Sequence, residues 1–236
     1  MAHVSPLAGV RKLRAGFAPV LAGALLAICS TFTPAPAATL LNGGFETPDI
    51  GTGSTFSFVT PSRVEGWDTT DSHIEIWANG FKGVTSFEGT QHAEINAKRF
   101  GTLFQTVTGI VAGADLVLEF AHRARKGTDT MRVEIVDLGA DDTAGTADDT
   151  TLFSRVFSAT TEAWIFSRSS SFSEVTALGG DVQVAFTAVS TGSGSVSVGN
   201  FLDAVRLHGD VPAVPLPVPA LLLIAGLYML VRIRRA

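Results

Sequence analysis

Along the middle of this chain, apolar and polar positions return repeatedly to a period of two. HIEIW (His73 to Trp77), HAEIN (His92 to Asn96), DLVLEFAHR (Asp115 to Arg123), MRVEIVDL (Met131 to Leu138), DVQVAFTAV (Asp181 to Val189) and FLDAVRL (Phe201 to Leu207) each alternate. Strands with one face in a core and the other turned away carry that pattern. Gly, Ser and Thr fill the intervals, and TGSGSVSVGN, from Thr191 to Asn200, reads as a turn because strands resume after it. No long amphipathic helix interrupts the stretch. Many short strands with turn signals between them, in a body of one-core size, predict an all-β protein: a single β-sandwich, with jelly roll as the favoured form.

The alternation stops at both ends, where apolar runs take over. Arg11, Lys12 and Arg14 precede an uncharged stretch from Ala15 to Ile28, and Ala35-Pro36-Ala37 supplies small residues for cleavage. This is the layout of a secretory signal peptide, so residues 1–38 are predicted to form a signal helix that is removed. Cys29, the sole cysteine, falls inside it, and the exported body then has no disulfide to lean on. At the other end, residues 211–236 hold a proline-rich stretch, an uncharged run from Val218 to Val231, and the basic residues Arg232, Arg234 and Arg235. At about 1.5 Å per residue the run reaches about 21 Å, short of a hydrocarbon core of about 30 Å, and its basic flank belongs on the cytoplasmic side.

Val214, Pro215, Leu216 and Pro217, followed by the apolar run and the arginines, resemble the VPLPA variety of the PEP-CTERM sorting domains of Gram-negative bacteria. The resemblance implies export through the inner membrane and transient anchoring there by the C-terminal helix. An exosortase-type transpeptidase would then release the body to the cell surface or extracellular matrix. An ordinary C-terminal membrane anchor is the alternative, with the same topology and no cleavage.

Residues 39–210 remain as the sandwich domain. All 22 acidic residues but only 11 of the 17 Lys and Arg fall there. A body with twice as many acids as bases repels polyphosphates, which excludes nucleic acid as a partner and favours cations.

The body opens with LLNGGFETP, Leu40 to Pro48, and closes with GNFLDAVRL, Gly199 to Leu207. These two segments resemble the first and last strands of the galactose-binding-like jelly rolls, a superfamily that includes many carbohydrate-binding modules. The resemblance implies structural calcium near the chain ends, held by Glu46 and Asp203 with backbone carbonyls. The alternative makes Glu46 a capping or salt-bridge residue and Asp203 a turn residue. A second acidic group, DLGADDTAGTADDTT from Asp137 to Thr151, lacks the spacing of a helix-flanked calcium loop. It reads as a solvated hairpin tip; calcium there would bind weakly and stiffen it.

For a ligand, the alternation turns Ile74, Ile76, Ala93 and Ile95 inward. His73, Glu75 and Trp77, with His92, Glu94 and Asn96, then lie on the other face. An aromatic ring beside carboxylates, imidazoles and an amide suits a sugar, whose CH face stacks while its hydroxyls hydrogen-bond. Trp67, Arg123 and Arg125 are candidates for the rim. The same face could equally be a solvated outer surface. Glu75 and Glu94 would also serve as the paired carboxylates of a glycosidase, and His73, His92 and His122 with Glu75 could imitate a metal site. However, no H-E-x-x-H or G-x-S-x-G pattern supports either chemistry. His122 sits on the inward face of its strand and reads as a core-margin histidine. The sequence thus predicts an exported, non-catalytic module for extracellular polysaccharide. A purely structural surface or biofilm-matrix protein is the alternative, with a glycan-active hydrolase behind it.

Overall fold

The computed structural model describes residues 40–51 and 55–210. The signal segment and the whole sorting segment, Val214 to Arg235 included, lie outside them. Among the described residues no helix is long and apolar enough to cross a membrane.

Within the described residues, eleven strands form two antiparallel sheets: β1 (Phe56–Val59), β2 (Asp68–Thr69), β3 (Ile74–Ala78), β4 (Gln91–Glu94), β5 (Thr102–Ile110), β6 (Asp115–Arg123), β7 (Thr128–Asp137), β8 (Thr150–Thr160), β9 (Ile165–Arg168), β10 (Gly180–Ser190) and β11 (Phe201–Asp210). The first sheet runs β1-β3-β4-β11-β6-β9 and the second β2-β5-β10-β7-β8. From β4 onward the chain changes sheet at every connection except the β7–β8 hairpin. Early strands pair with late ones, β4 with β11 and β5 with β10. That nesting is the winding of a jelly roll.

All six alternating segments contain strand, and DLVLEFAHR coincides with β6. His73 lies just before β3, and Ile95 and Asn96 lie just after β4. Between the sheets the inward positions interdigitate: Ile74, Ile76, Leu116, Leu118, Phe120 and Leu202 from one, Leu103, Met131, Val133, Ile135, Val184 and Phe186 from the other. An aromatic chain links Phe45 to Trp67 at 5.0 Å, Trp67 to Phe186 at 6.2 Å, and Phe186 to Phe120 at 5.5 Å between ring centroids. Each such ring contributes about 1.5–3 kcal/mol by leaving water. Trp67 is therefore a core residue, 3% exposed, and not part of a binding rim. His122 is also buried, sharing a 3.0 Å hydrogen bond with the Asn200 side-chain oxygen, and burial pushes its pKa down to about 4.

The opening NGGFE segment docks against a bulge in β11. Pairing with β6 shifts between Asp203 and Arg206, Ala204 takes a positive φ of 52°, and Val205 N–H donates to the Gly43 carbonyl at 2.9 Å. A Cβ on Gly43 would overlap the Val205 carbonyl oxygen, so only glycine permits this approach. Asn42 closes the turn by accepting from Thr47 N–H at 3.0 Å and donating to Thr47 O at 2.7 Å.

Candidate functional site

The outward side chains of β3 and β4 come together as the sequence predicts. Glu75 faces Glu94 and Trp77 faces His92 across the ladder. They do not form an open platform, and this corrects the expectation of a sugar-binding surface: Glu75 is 2% exposed, Trp77 and Glu94 1%, and His92 and Asn96 0%. The cause is the β3–β4 connection, which folds back over its own sheet. Phe81 packs on Trp77 at 4.7 Å, Ser86 Oγ lies 3.0 Å from His92 Nδ1, and the N–H groups of Phe87 and Glu88 donate to Asp203 Oδ2. His73 stays outside the cluster, half-buried beside Phe58.

Beneath this cover, one arginine serves two carboxylates. Arg125 donates to both oxygens of Glu94, at 3.0 and 2.8 Å, lies 3.9 Å from Glu75, and rests over the Trp77 ring at 4.6 Å. Trp77 Nε1 donates to Glu75 at 2.8 Å and Gly199 N–H donates to Glu94 at 2.6 Å. Burial, then the neighbouring Glu75, push Glu94 up to about 8; burial also raises Glu75. A pair of carboxylates with one nearby cation holds a proton at neutral pH. The same desolvation, with Arg123 adding, pushes His92 down to about 3, and its Nε2 has no partner. Asn96 completes the layer by accepting from Asn200 Nδ2 and donating to Val196 O. Glu75 and Glu94 thus lie covered beneath the β3–β4 connection, with both Glu94 oxygens and Glu75 Oε1 already bonded.

Above this layer lies an aromatic group that the alternation did not reveal. Trp164, just before β9, is half-buried; it meets His92 edge-on at 5.3 Å and donates its Nε1–H to Thr85 O at 2.8 Å. Phe87 and Phe166 stack 5.6 Å apart and 7° from parallel, and they remain 42% and 43% exposed. Around them run charged pairs, Arg206 with Glu88 and Arg168 with Glu119, the latter carboxylate also 3.1 Å from His208. Arg123 donates to Thr161 O at 2.6 Å. Stacked rings open to solvent beside fixed hydrogen-bonding groups can take the CH face and hydroxyls of a sugar. The available signal was composition: Trp164, Ile165 and Phe166 follow one another outside any alternating run.

Glu46 and Asp203 both anchor the β3–β4 connection. Glu46 accepts from Thr90 N–H, Thr90 Oγ1–H and Gln91 N–H, and Asp203 accepts from Phe87, Glu88 and Ala204 N–H groups. Burial, opposed by those donors, leaves Asp203 raised to about 7. N–H and O–H groups aimed at a carboxylate oppose a cation in the same place, so these residues as arranged do not fit a calcium shell. Among the described residues no three His, Cys, Asp or Glu side chains are gathered to hold a metal.

No protein-family profile matches the chain, and no curated protein matches it. Among solved structures, a family 61 carbohydrate-binding module in complex with β-1,4-galactotriose is similar at 15% identity and a TM-score of 0.45, covering 73% of this chain and 99% of that one. A family 4 carbohydrate-binding module shows 12% identity and a TM-score of 0.41, over 72% and 99% of the two chains. The CBM22-1 xylan-binding domain of Paenibacillus barcinonensis Xyn10C shows 8% identity and a TM-score of 0.45, over 66% and 90%. At these identities and TM-scores, the likeness assigns no ligand to this chain.

Proposed function

We propose that this chain is an exported, non-catalytic module that holds extracellular polysaccharide on the aromatic shelf of Phe87, Trp164 and Phe166. The observation that carries the reading is the solvent-open stacked pair Phe87 and Phe166, backed by Trp164 and bordered by Arg168, Arg206 and Glu88. The shelf takes over the ligand role from Trp77, Glu75, His92, Glu94 and Asn96, which instead support it from below. Sorting by an exosortase after membrane anchoring belongs to the same proposal and rests on the resemblance of the 211–236 segment. Mass spectrometry of the protein recovered from its host addresses that step: a C-terminus near Pro215 to Pro219 supports it, and an intact Ala236 makes the tail a plain anchor.

Binding of the full chain to a panel of immobilised polysaccharides tests the shelf. The expected result is saturable binding that weakens about tenfold or more in Trp164→Ala and Phe166→Ala, each replacement removing about 1.4 kcal/mol or more of affinity. The Phe166 variant should keep the parent melting temperature to within a few degrees, because the ring is largely exposed. Folded parent protein that binds nothing on the panel would transfer the assignment to a structural matrix role.

A further inference from the structure

A second aromatic corner lies at the β1 edge of the first sheet, whereas the shelf takes Phe166 from β9 at the opposite edge. Register with β3 sets Phe56 opposite Trp77 and Phe58 opposite Glu75, so both rings stand on the outer face. They remain open to solvent, at 41% and 37% exposure. The two meet edge to face at 5.4 Å, and Phe56 lies on Phe81 at 5.9 Å, 23° from parallel. His73, outside the covered cluster, flanks Phe58 at 6.2 Å.

Two lysines belong to this corner. Lys98 Nζ lies 3.1 Å from the centre of the Phe58 ring and Lys82 Nζ 5.4 Å from that of Phe81, and both charges act on the buried Glu75 between them. Both residues are exposed, and among the described residues neither forms an ion pair, although the body has twice as many acids as bases. The neighbouring cations are matched. Arg99 lies 3.9 Å from Asp71, and Arg125 neutralises Glu75 and Glu94, which hold one proton between them. Lys82 also keeps a left-handed backbone, φ 50°, which glycine adopts more readily, so the turn itself does not call for lysine there. Open rings suit the CH face of a sugar, and two ammonium groups beside them suit an anionic one. A lipid surface favours rings that stand clear of the protein, whereas these are more than half covered and rest on their neighbours.

We propose that the β1 corner binds an acidic saccharide of the uronate class, with Phe56 and Phe58 taking the CH face of the sugar and Lys82 and Lys98 bonding its carboxylate. At the shelf the bordering Arg168 and Arg206 are already paired with Glu119 and Glu88, so the charge requirement belongs to the corner. The corner does not rest on the shelf, and each can fail without the other.

Titration calorimetry of the full chain with galacturonate oligomers decides it, with their methyl esters as the neutral comparator. The expected result is saturable uptake of the acid form, about tenfold or more tighter than the ester, with a preference that shrinks as salt is raised. Lys82→Gln with Lys98→Gln should abolish that preference, and Phe56→Ala should weaken uptake of the acid form about fivefold or more. Arg132→Gln with Arg155→Gln removes the same charge from the second sheet and should keep the preference, as should Phe166→Ala at the shelf. The lysine positions are exposed, so that variant should melt with the parent, and melting curves establish folding of the others. Equal uptake of acid and ester, no uptake of the acid form by folded parent protein, or a preference that survives the lysine pair would overturn the proposal. Capture of phosphatidylglycerol vesicles in place of the acid oligomers would overturn it too, in favour of a membrane surface.

Discussion

The two outer faces of the sandwich obey the same alternation and have opposite fates. On the second sheet the outward positions are largely in contact with solvent, Ala185 excepted: Thr102 shares a 2.9 Å hydrogen bond with Thr187, Thr130 a 2.8 Å bond with Ser158, and Arg132 pairs with Glu134 at 3.0 Å while its side chain stays 47% exposed. On the first sheet the outward Glu75, Trp77, His92 and Glu94 are as buried as the core. The difference lies outside the strands. A long β3–β4 connection and the segment before β9 cover the first face, and among the described residues nothing comparable crosses the second. Orientation in the pleat is set locally, whereas exposure is set by segments remote in sequence.

The largest effect should come from breaking the covered polar cluster. Replacing Glu94 by alanine leaves Arg125 enclosed beside Trp77 without its bidentate partner, and denaturant unfolding should show a loss of about 3–5 kcal/mol. A loss below about 1 kcal/mol would mean that water reaches the cluster and that the two faces are alike.

Acidity gives an intermediate contrast. Glu94 and Asp203 are raised to about 8 and about 7 in the folded chain from ordinary values of 4.5 and 3.8, so between those limits the folded state holds protons that the unfolded state lacks. Their contribution therefore falls as pH rises through 7 to 8. His92 and His122, lowered to about 3 and about 4 from 6.5, act in the opposite sense and only below about 6.5, where the unfolded chain takes up their protons. The melting temperature should hold nearly level from pH 5 to 6.5 and drop by several degrees by pH 8.5, with Glu94→Gln flattening the drop. A rise over that alkaline interval would contradict the assignment of raised carboxylates to the covered face.

The smallest effect should be on the open face. Glu134→Ala removes a screened ion pair and a 3.0 Å bond from Ser154, and unfolding should change by no more than about 0.5 kcal/mol.

The sequence reveals these features unevenly. Alternation located β3, β4, β6, β7, β10 and β11 and assigned the faces of β3, β4 and β6, because period two is a property of each strand alone. β5 and β8 went unremarked: their outward positions are largely Thr and Ser, which give little contrast with turns. β9 is only four residues long and begins with two exposed apolar side chains, Ile165 and Phe166, so it has no alternation to detect. The jelly-roll winding depends on pairings such as β5 with β10, far apart in sequence. Glu46 and Asp203 were marked by their segments, but the backbone amides they hold belong to the β3–β4 connection, which neither segment contains. The shelf was missed for the same reason: Phe87 and Phe166 become neighbours only when that connection reaches β9.

The place of β11 bears on the order in which the chain becomes a protein. This ten-residue strand is the last of the described strands, yet it lies in the interior of the first sheet, between β4 and β6. A chain made from its N-terminus therefore carries two unsatisfied edges in this sheet, on β4 and β6, until Phe201 to Asp210 are present. The sheet can close only once β11 pairs with both neighbours, and the bulge that receives Gly43 belongs to that strand. Completion of the body is thereby coupled to arrival of the residues that directly precede the 211–236 segment.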